Sequence, residues 1–248
     1  MSNVVLNSIE TYFKHIGLIL FSSLSFFIAL FIPFFASFVI FNDAWGIFLR
    51  VTNLASLTAF NIFIIILSVF FSMLFLSFAI VSINIIIKHK RTYSKIRQEV
   101  LLGLEKYTSK VFLILLIFAV LILIISIALA FYTASNAGLI SSIIFLLLTP
   151  LFFYAPSSII NDDAKLIPAF KRSIAFIVKK PIYFLIWIVI AVALITFFDF
   201  IFILIGNSLA VSPFFSIYLM LVFNSIFILP FIVILQAESY MHRFALLR

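Results

Sequence analysis

A chain of 248 residues that is 66% hydrophobic, 10% charged and +1.38 in mean hydropathy lies far from the roughly 45–50% apolar and 25% charged of soluble domains. A water-soluble globular fold is thereby excluded. The net charge of +8 points to anionic lipid headgroups rather than nucleic acid, because the cations flank apolar runs and sit beside Phe, Ile and Leu.

At the N-terminus, Val5, Ile9, Tyr12 and Phe13 lie opposite Asn7, Glu10 and Lys14 at helical spacing, which predicts a short amphipathic helix. The apolar run that follows, 16–41, exceeds the roughly 7–15 residues of a secretory signal core, and no small-residue cleavage site follows it. It is expected to be a membrane span. A bilayer core about 30 Å thick needs roughly 20 apolar residues at about 1.5 Å each. Five further runs satisfy this, at 57–87, 111–132, 139–160, 181–205 and 214–235, so six spans are expected. The first two are longer than needed, and tilt, or Pro33 and Asn61 near their outer ends, absorbs the excess. Ser22, Ser25 and Ala29 on the first, and Ser68, Ser72 and Ala79 on the second, read as seams where backbones approach closely.

Between the second and third spans, Ile96, Val100, Leu101, Leu104 and Tyr107 recur at helical spacing. Lys95, Arg97, Gln98, Glu99, Glu105 and Lys106 occupy the other face, which predicts an interfacial amphipathic helix ending at Lys110. A second such helix follows the fourth span. Its apolar stripe is Leu166, Ile167, Phe170, Ile174 and Ile177, and its wet face is Lys165, Lys171 and Arg172. Asn161, Asp162 and Asp163 are expected at its start, where capping and the helix dipole favour them; a metal triplet is the poorer explanation. Lys179 and Lys180 close it, and Pro181 suits the first turn of the next span.

The remaining gaps, 42–56, 133–138 and 206–213, are short turns. Arg50 is the one basic residue among them, and the other fifteen of the sixteen lie in the alternate gaps or the tails. Cytoplasmic loops retain Lys and Arg, so both termini, 88–110 and 165–180 are expected inside a multi-pass cell-membrane protein.

The inner helices also resemble one another. Ser8 to Leu20 aligns with Gly103 to Leu115, pairing Glu10 with Glu105 and Tyr12 with Tyr107, and Lys95 to Lys110 has the length of Lys165 to Lys180. The expected fold is therefore all-α and integral to the membrane. It forms one polytopic domain, 1–248, of three helical-hairpin units at 1–91, 92–163 and 164–248 about a pseudo-threefold axis.

Chemistry-bearing residues are few. Asp199 is the one acid well inside a span, where hydrogen bonding to a backbone group, to Arg50 or to a polar residue of the sixth span is expected. Asn84 and Asn224 are expected to face other helices rather than lipid. His15, His89 and His242 fall separately at the inner rim. With no cysteine there is no disulfide, thiol nucleophile or cysteine-ligated metal. No HExxH, GxSxG or phosphate-cradling glycine loop is present, so no catalytic residue, metal or cofactor is assigned.

Tyr154, Ala155 and Pro156, then Ile159, Ile160 and Asp162, then Ala169, Phe170, Lys171, Arg172 and Ser173, precede a new span. This stretch resembles the six-span membrane domain attached to some glycerophosphodiester phosphodiesterases, and its stand-alone prokaryotic relatives. The resemblance covers about the last hundred residues. The barrel-shaped catalytic domain of those enzymes has no counterpart, so the resemblance implies topology and no activity. The expected function is that of a non-enzymatic organiser of membrane or an accessory subunit. Lys95, Arg97, Lys110, Lys171, Arg172, Lys179 and Lys180 would hold anionic headgroups. The alternative is a permease subunit that docks an ATPase and passes an apolar or lipid-like substrate.

Overall fold

A backbone in hydrocarbon must satisfy its own N–H and C=O groups, and apolar runs of this length can do so only as helices. The computed structural model describes residues 2–35, 59–90, 96–132, 137–208 and 213–245, and every element among them is helical. The turn 42–56 with Asp43 and Arg50, residues 133–136, Lys95 and the side chains of Pro33 and Asn61 lie outside the described residues.

Helix α1 (Ser2–Lys14) meets α2 (Ile16–Phe35) at 92°, with His15 at the elbow. The long helices α3 (Ala59–His89) and α4 (Ile96–Tyr132) follow, then α5 (Ala137–Phe153), α6 (Ala155–Asp162) and α7 (Leu166–Lys179). The chain closes with α8 (Pro181–Ser208), α9 (Pro213–Phe223), a π-helical turn (Asn224–Ile228) and α10 (Leu229–Ala245). Among the described residues, four helical stretches are long and apolar enough to cross a membrane: 66–89, 143–162, 181–208 and 215–242; α1 with α2 makes five if that bent pair counts as one. Helix α4 is not among them. Its first half carries Arg97, Glu99, Glu105, Lys106 and Lys110, and side chains 123 and 126–132 lie outside the described set.

The main core is shared by α1, α2, α3, α4, α6 and α10, around Ile19, Phe26, Ile83, Ile114, Ile160 and Ile234. Helices α2 and α3 pack along the small-residue seam, where the Ser72 hydroxyl donates to the Ala29 carbonyl at 2.6 Å. Gly103 lets α4 approach α3 so closely that a Cβ there would fall 1.9 Å from Ile85 Cδ1. A second, aromatic core joins Phe153, Tyr154, Phe176, Phe184 and Tyr240.

Prolines break two of the helices, and neighbouring helices repair the breaks. Pro150 lies inside α5, and the chain turns at Tyr154 before α6 begins. There the Ser173 hydroxyl of α7 inserts into the helical ladder, accepting from the Tyr154 N–H at 2.9 Å and donating to the Pro150 carbonyl at 2.7 Å. Gln236 of α10 donates to the adjacent Phe153 carbonyl. Pro230 has no N–H to offer Ile226 four residues earlier. The Ile226 carbonyl instead faces the Tyr12 hydroxyl at 3.4 Å and the Ser23 hydroxyl at 3.1 Å, the latter sharing its one proton with the Ile19 carbonyl at 2.8 Å, within a π turn of the kind that accommodates such a vacancy.

Three expectations are corrected. The segment before Lys110 is continuous with the helix that follows, one rod from Ile96 to Tyr132, because no Gly or Pro interrupts it at Lys110. Asp162 and Asp163 do not start the second interfacial helix. Asp162 ends α6 and Asp163 is its left-handed C-cap at φ 50°, a conformation Asp tolerates, while Lys165 caps α7. Finally, the apolar stripe of α7 divides: Phe176 and Ile177 are buried with Ala169 and Ser173 against the bundle, while Ile167, Ile174 and Val178 face outward.

Candidate functional site

The acids that sequence spacing scatters over α4, α6 and α10 meet the basic ends of α3, α4 and α7 at one end of the bundle. Glu238, 6% exposed, pairs with Lys90, and Thr11 Oγ1 lies 3.1 Å from the same carboxylate, so α1, α3 and α10 are tied at one point. Asp163 Oδ1 is 2.8 Å from Lys106 and accepts from the Tyr107 hydroxyl, with Lys88 4.0 Å from its other oxygen. Lys88 also donates to the Ile160 carbonyl at 2.6 Å, one of the carbonyls that the end of α6 leaves open. Asp162 accepts from Arg172 at 2.8 Å and from the Tyr240 hydroxyl at 2.6 Å. Both aspartates stand at a helix C-terminus, where the dipole disfavours acids, and these donors offset that.

The electrostatics follow the contacts. Hydrogen bonds from Lys106 and Tyr107 hold the Asp163 carboxyl below its ordinary range, and the Lys106 ammonium is pushed up by the same carboxylate. Burial, then the bond to Asp163, raises the Tyr107 hydroxyl. Lys88, Lys106 and Lys110 lie 5.5, 4.9 and 5.9 Å from the Tyr107 ring centre, a cation–π cluster around one aromatic face.

Of the expected headgroup ligands, Lys95 lies outside the described residues. Arg172 is engaged by Asp162, and Lys110 and Lys180 lean on Tyr107 and Tyr183. Arg97, Lys171 and Lys179 are exposed, and among the described residues none of them has a carboxylate within 4.0 Å. Outward apolar side chains accompany them. On α7 these are Ile167, Ile174 and Val178, the last 73% exposed; on α1 they are Leu6, Ile9 and Phe13, the last 67% exposed, with Ile16 at the start of α2.

The intramembrane polar residues lie elsewhere. Asp199 is buried on α8 and accepts from the Asn224 amide at 2.9 Å, at the first residue of the π turn. Asn84 is buried on α3, and its amide returns to the Ile80 carbonyl of its own helix at 2.9 Å. The histidines remain apart: His89 is 3.9 Å from Glu99, and His242 is 3.4 Å from the Tyr183 hydroxyl. Among the described residues no three His, Asp or Glu side chains are grouped as metal ligands.

Sequence reasoning missed Glu238, Lys90, Thr11, Tyr240, Ser173 and Gln236 as structural partners. A usable signal was present for the last two, since a proline inside an apolar run demands hydroxyl or amide donors on another helix. No protein-family model, characterised protein or solved structure matches the chain.

Proposed function

We propose that this chain is a non-enzymatic, multi-pass protein of the cell membrane that organises inner-leaflet lipid, alone or as an accessory subunit. The observation that carries the reading is the 92° elbow between α1 and α2. If α2 crosses the bilayer, α1 lies in its surface, with Leu6, Ile9 and Phe13 turned away from the bundle and toward acyl chains. Helix α7 repeats the arrangement with Ile167, Ile174 and Val178 beside Lys171 and Lys179. Cations near an anionic leaflet contribute about 1 kcal/mol each, so a handful bias the lipid composition around the protein.

Six spans remain the proposed topology. The sixth is the apolar run 111–132 of α4, which lies behind the charged turns of the same helix as the alternating-gap pattern requires. The basic end is the proposed cytoplasmic end, with both termini there. The threefold repeat is supported by the breaks at His15 and Lys180, each of which separates a shorter helix from the long apolar helix that follows. It is weakened by the unbroken α4.

Reversing charge at Lys171→Glu and Lys179→Glu tests the reading without touching an ion pair. The purified double variant is expected to retain less anionic phospholipid by quantitative lipid analysis. Unchanged retention counts against lipid organisation, and copurification of an ATPase with the native protein favours the permease-subunit reading instead.

A further inference from the structure

A cleft of about 200 Å³ opens at the charged end between α1 and the C-terminal end of α3. It is lined by Asn7, Glu10, Thr11, Lys14 and His15 from α1 and by Lys90 from beyond α3. Its lining is ordered along the helix: the amide and the acid stand toward the N-terminus, and the ammonium and imidazole toward the elbow. Glu10 and Lys14 are one turn apart, about 6 Å of helix rise. Spacing of this kind ordinarily allows an ion pair. Yet both are exposed, and neither is within 4.0 Å of an opposite charge among the described residues. At the basic end, His15 Nε2 is buried with no hydrogen-bond partner in the protein. With almost no accessible surface of its own, that atom is closed to the contents of the cleft.

Charge selects the kind of occupant. Lys14 and Lys90 are balanced by Glu10 and by Glu238, the partner of Lys90, and burial together with Lys14 and Lys90 holds the His15 imidazole toward its neutral form. A bare anion would gain Lys14 and meet Glu10 uncompensated; a bare cation would meet the reverse. A molecule with separated opposite charges satisfies both ends.

We propose that this cleft binds a phosphoryl–primary-amine zwitterion, the chemistry of a phosphoethanolamine headgroup. The phosphoryl oxygens face Lys14 and a remaining proton of the Lys90 ammonium, and the primary ammonium donates to Glu10 and the Asn7 side-chain carbonyl. The headgroup of a membrane lipid and a water-soluble phosphoamine offer the same groups. The lipid source rests on the membrane reading above, in which α1 lies at headgroup level.

The full-length protein in a non-ionic detergent is titrated by native mass spectrometry with phosphatidylethanolamine, phosphatidylglycerol, phosphatidylcholine and glycerophosphoethanolamine. Phosphatidylethanolamine is expected to bind about two- to fivefold tighter than the other two lipids, the scale of one exposed charge contact. The quaternary amine of phosphatidylcholine has no proton to donate to Glu10. Glu10→Gln, at an exposed unpaired site, is expected to erase the preference, weakening phosphatidylethanolamine binding and strengthening that of phosphatidylglycerol, whose anion no longer meets Glu10, and Lys14→Gln to weaken all three. Binding of glycerophosphoethanolamine at comparable affinity assigns a soluble ligand, and binding of the acylated form alone assigns a lipid; either outcome supports the site. Equal binding of phosphatidylethanolamine and phosphatidylglycerol by the wild type, or a preference that survives Glu10→Gln, overturns it. A protein that inserts in the proposed topology but gives either of those results fails here alone.

Discussion

Ser173 carries more structural consequence than its chemistry suggests, because one hydroxyl serves both the Tyr154 N–H and the Pro150 carbonyl across a broken helix. Ser173→Ala strands two backbone groups in the interior, at about 1–3 kcal/mol each. Denaturant unfolding in detergent should show a clear loss for Ser173→Ala and near recovery for Ser173→Thr; equal midpoints for Ala and wild type would contradict the bridge. The Asp163–Lys106 pair predicts a pH window. Asp163 titrates below its ordinary 3.8, so its contribution is present above that value and lost as pH falls through the folded value. Lys106 titrates above its ordinary 10.5, so its contribution is present below that value and lost as pH rises through the folded one. The stability difference between wild type and Asp163→Asn should therefore be largest from about pH 4 to pH 10 and decline outside that window as each group passes through its folded value. It should also shrink in salt, since both side chains are more than half exposed. That Asp199 needs a partner was legible from its place in an apolar run, and the structure supplies Asn224. The roles of Glu238 and Thr11 were not, because their partners lie on helices far away in sequence and no local pattern marks them.

Among the helices, closeness of approach is set by small residues, and α3 against α4 shows it at Gly103. Gly103→Ala gains about 1 kcal/mol of helix propensity but drives a methyl into Ile85, so the two effects nearly cancel if that flexible terminus shifts. Gly103→Leu has no such escape and should destabilise by about 1–3 kcal/mol, with Ile85→Ala restoring part of the loss. Thermal unfolding of both single variants and the double variant measures the coupling, and strictly additive effects would contradict the contact. Helical periodicity was legible throughout, as were the seams at Ser72 and Ala29 and the start of α8 at Pro181. Periodicity could not tell which side of an amphipathic helix meets protein and which meets lipid, since both are apolar. Hence the outward stripe of α7 is Ile167, Ile174 and Val178 rather than the one read from spacing. Nor could it locate the acids at the end of α6, because a run of Asn161, Asp162 and Asp163 suits either a helix start or a helix end until Tyr240, Arg172 and Lys106 take up the charge.

For the molecule as a whole, the distribution of cations already implied that one end of the bundle is charged, and the described ion pairs do gather at one end. What alternate gaps cannot reveal is how many of those cations the protein consumes internally; among the described residues Lys88, Lys90, Lys106 and Arg172 are engaged, leaving Lys14, Arg97, Lys165, Lys171 and Lys179 exposed and without a carboxylate partner. Orientation in the membrane is the claim on which the lipid-organising reading stands. The chain has no native cysteine, so Arg97→Cys, Lys171→Cys and Asn207→Cys can each be introduced as a single thiol at an exposed site. With a membrane-impermeant maleimide, intact cells should label position 207 at once, and positions 97 and 171 only after permeabilisation. Labelling of either basic position from outside the cell would contradict the topology and the function drawn from it.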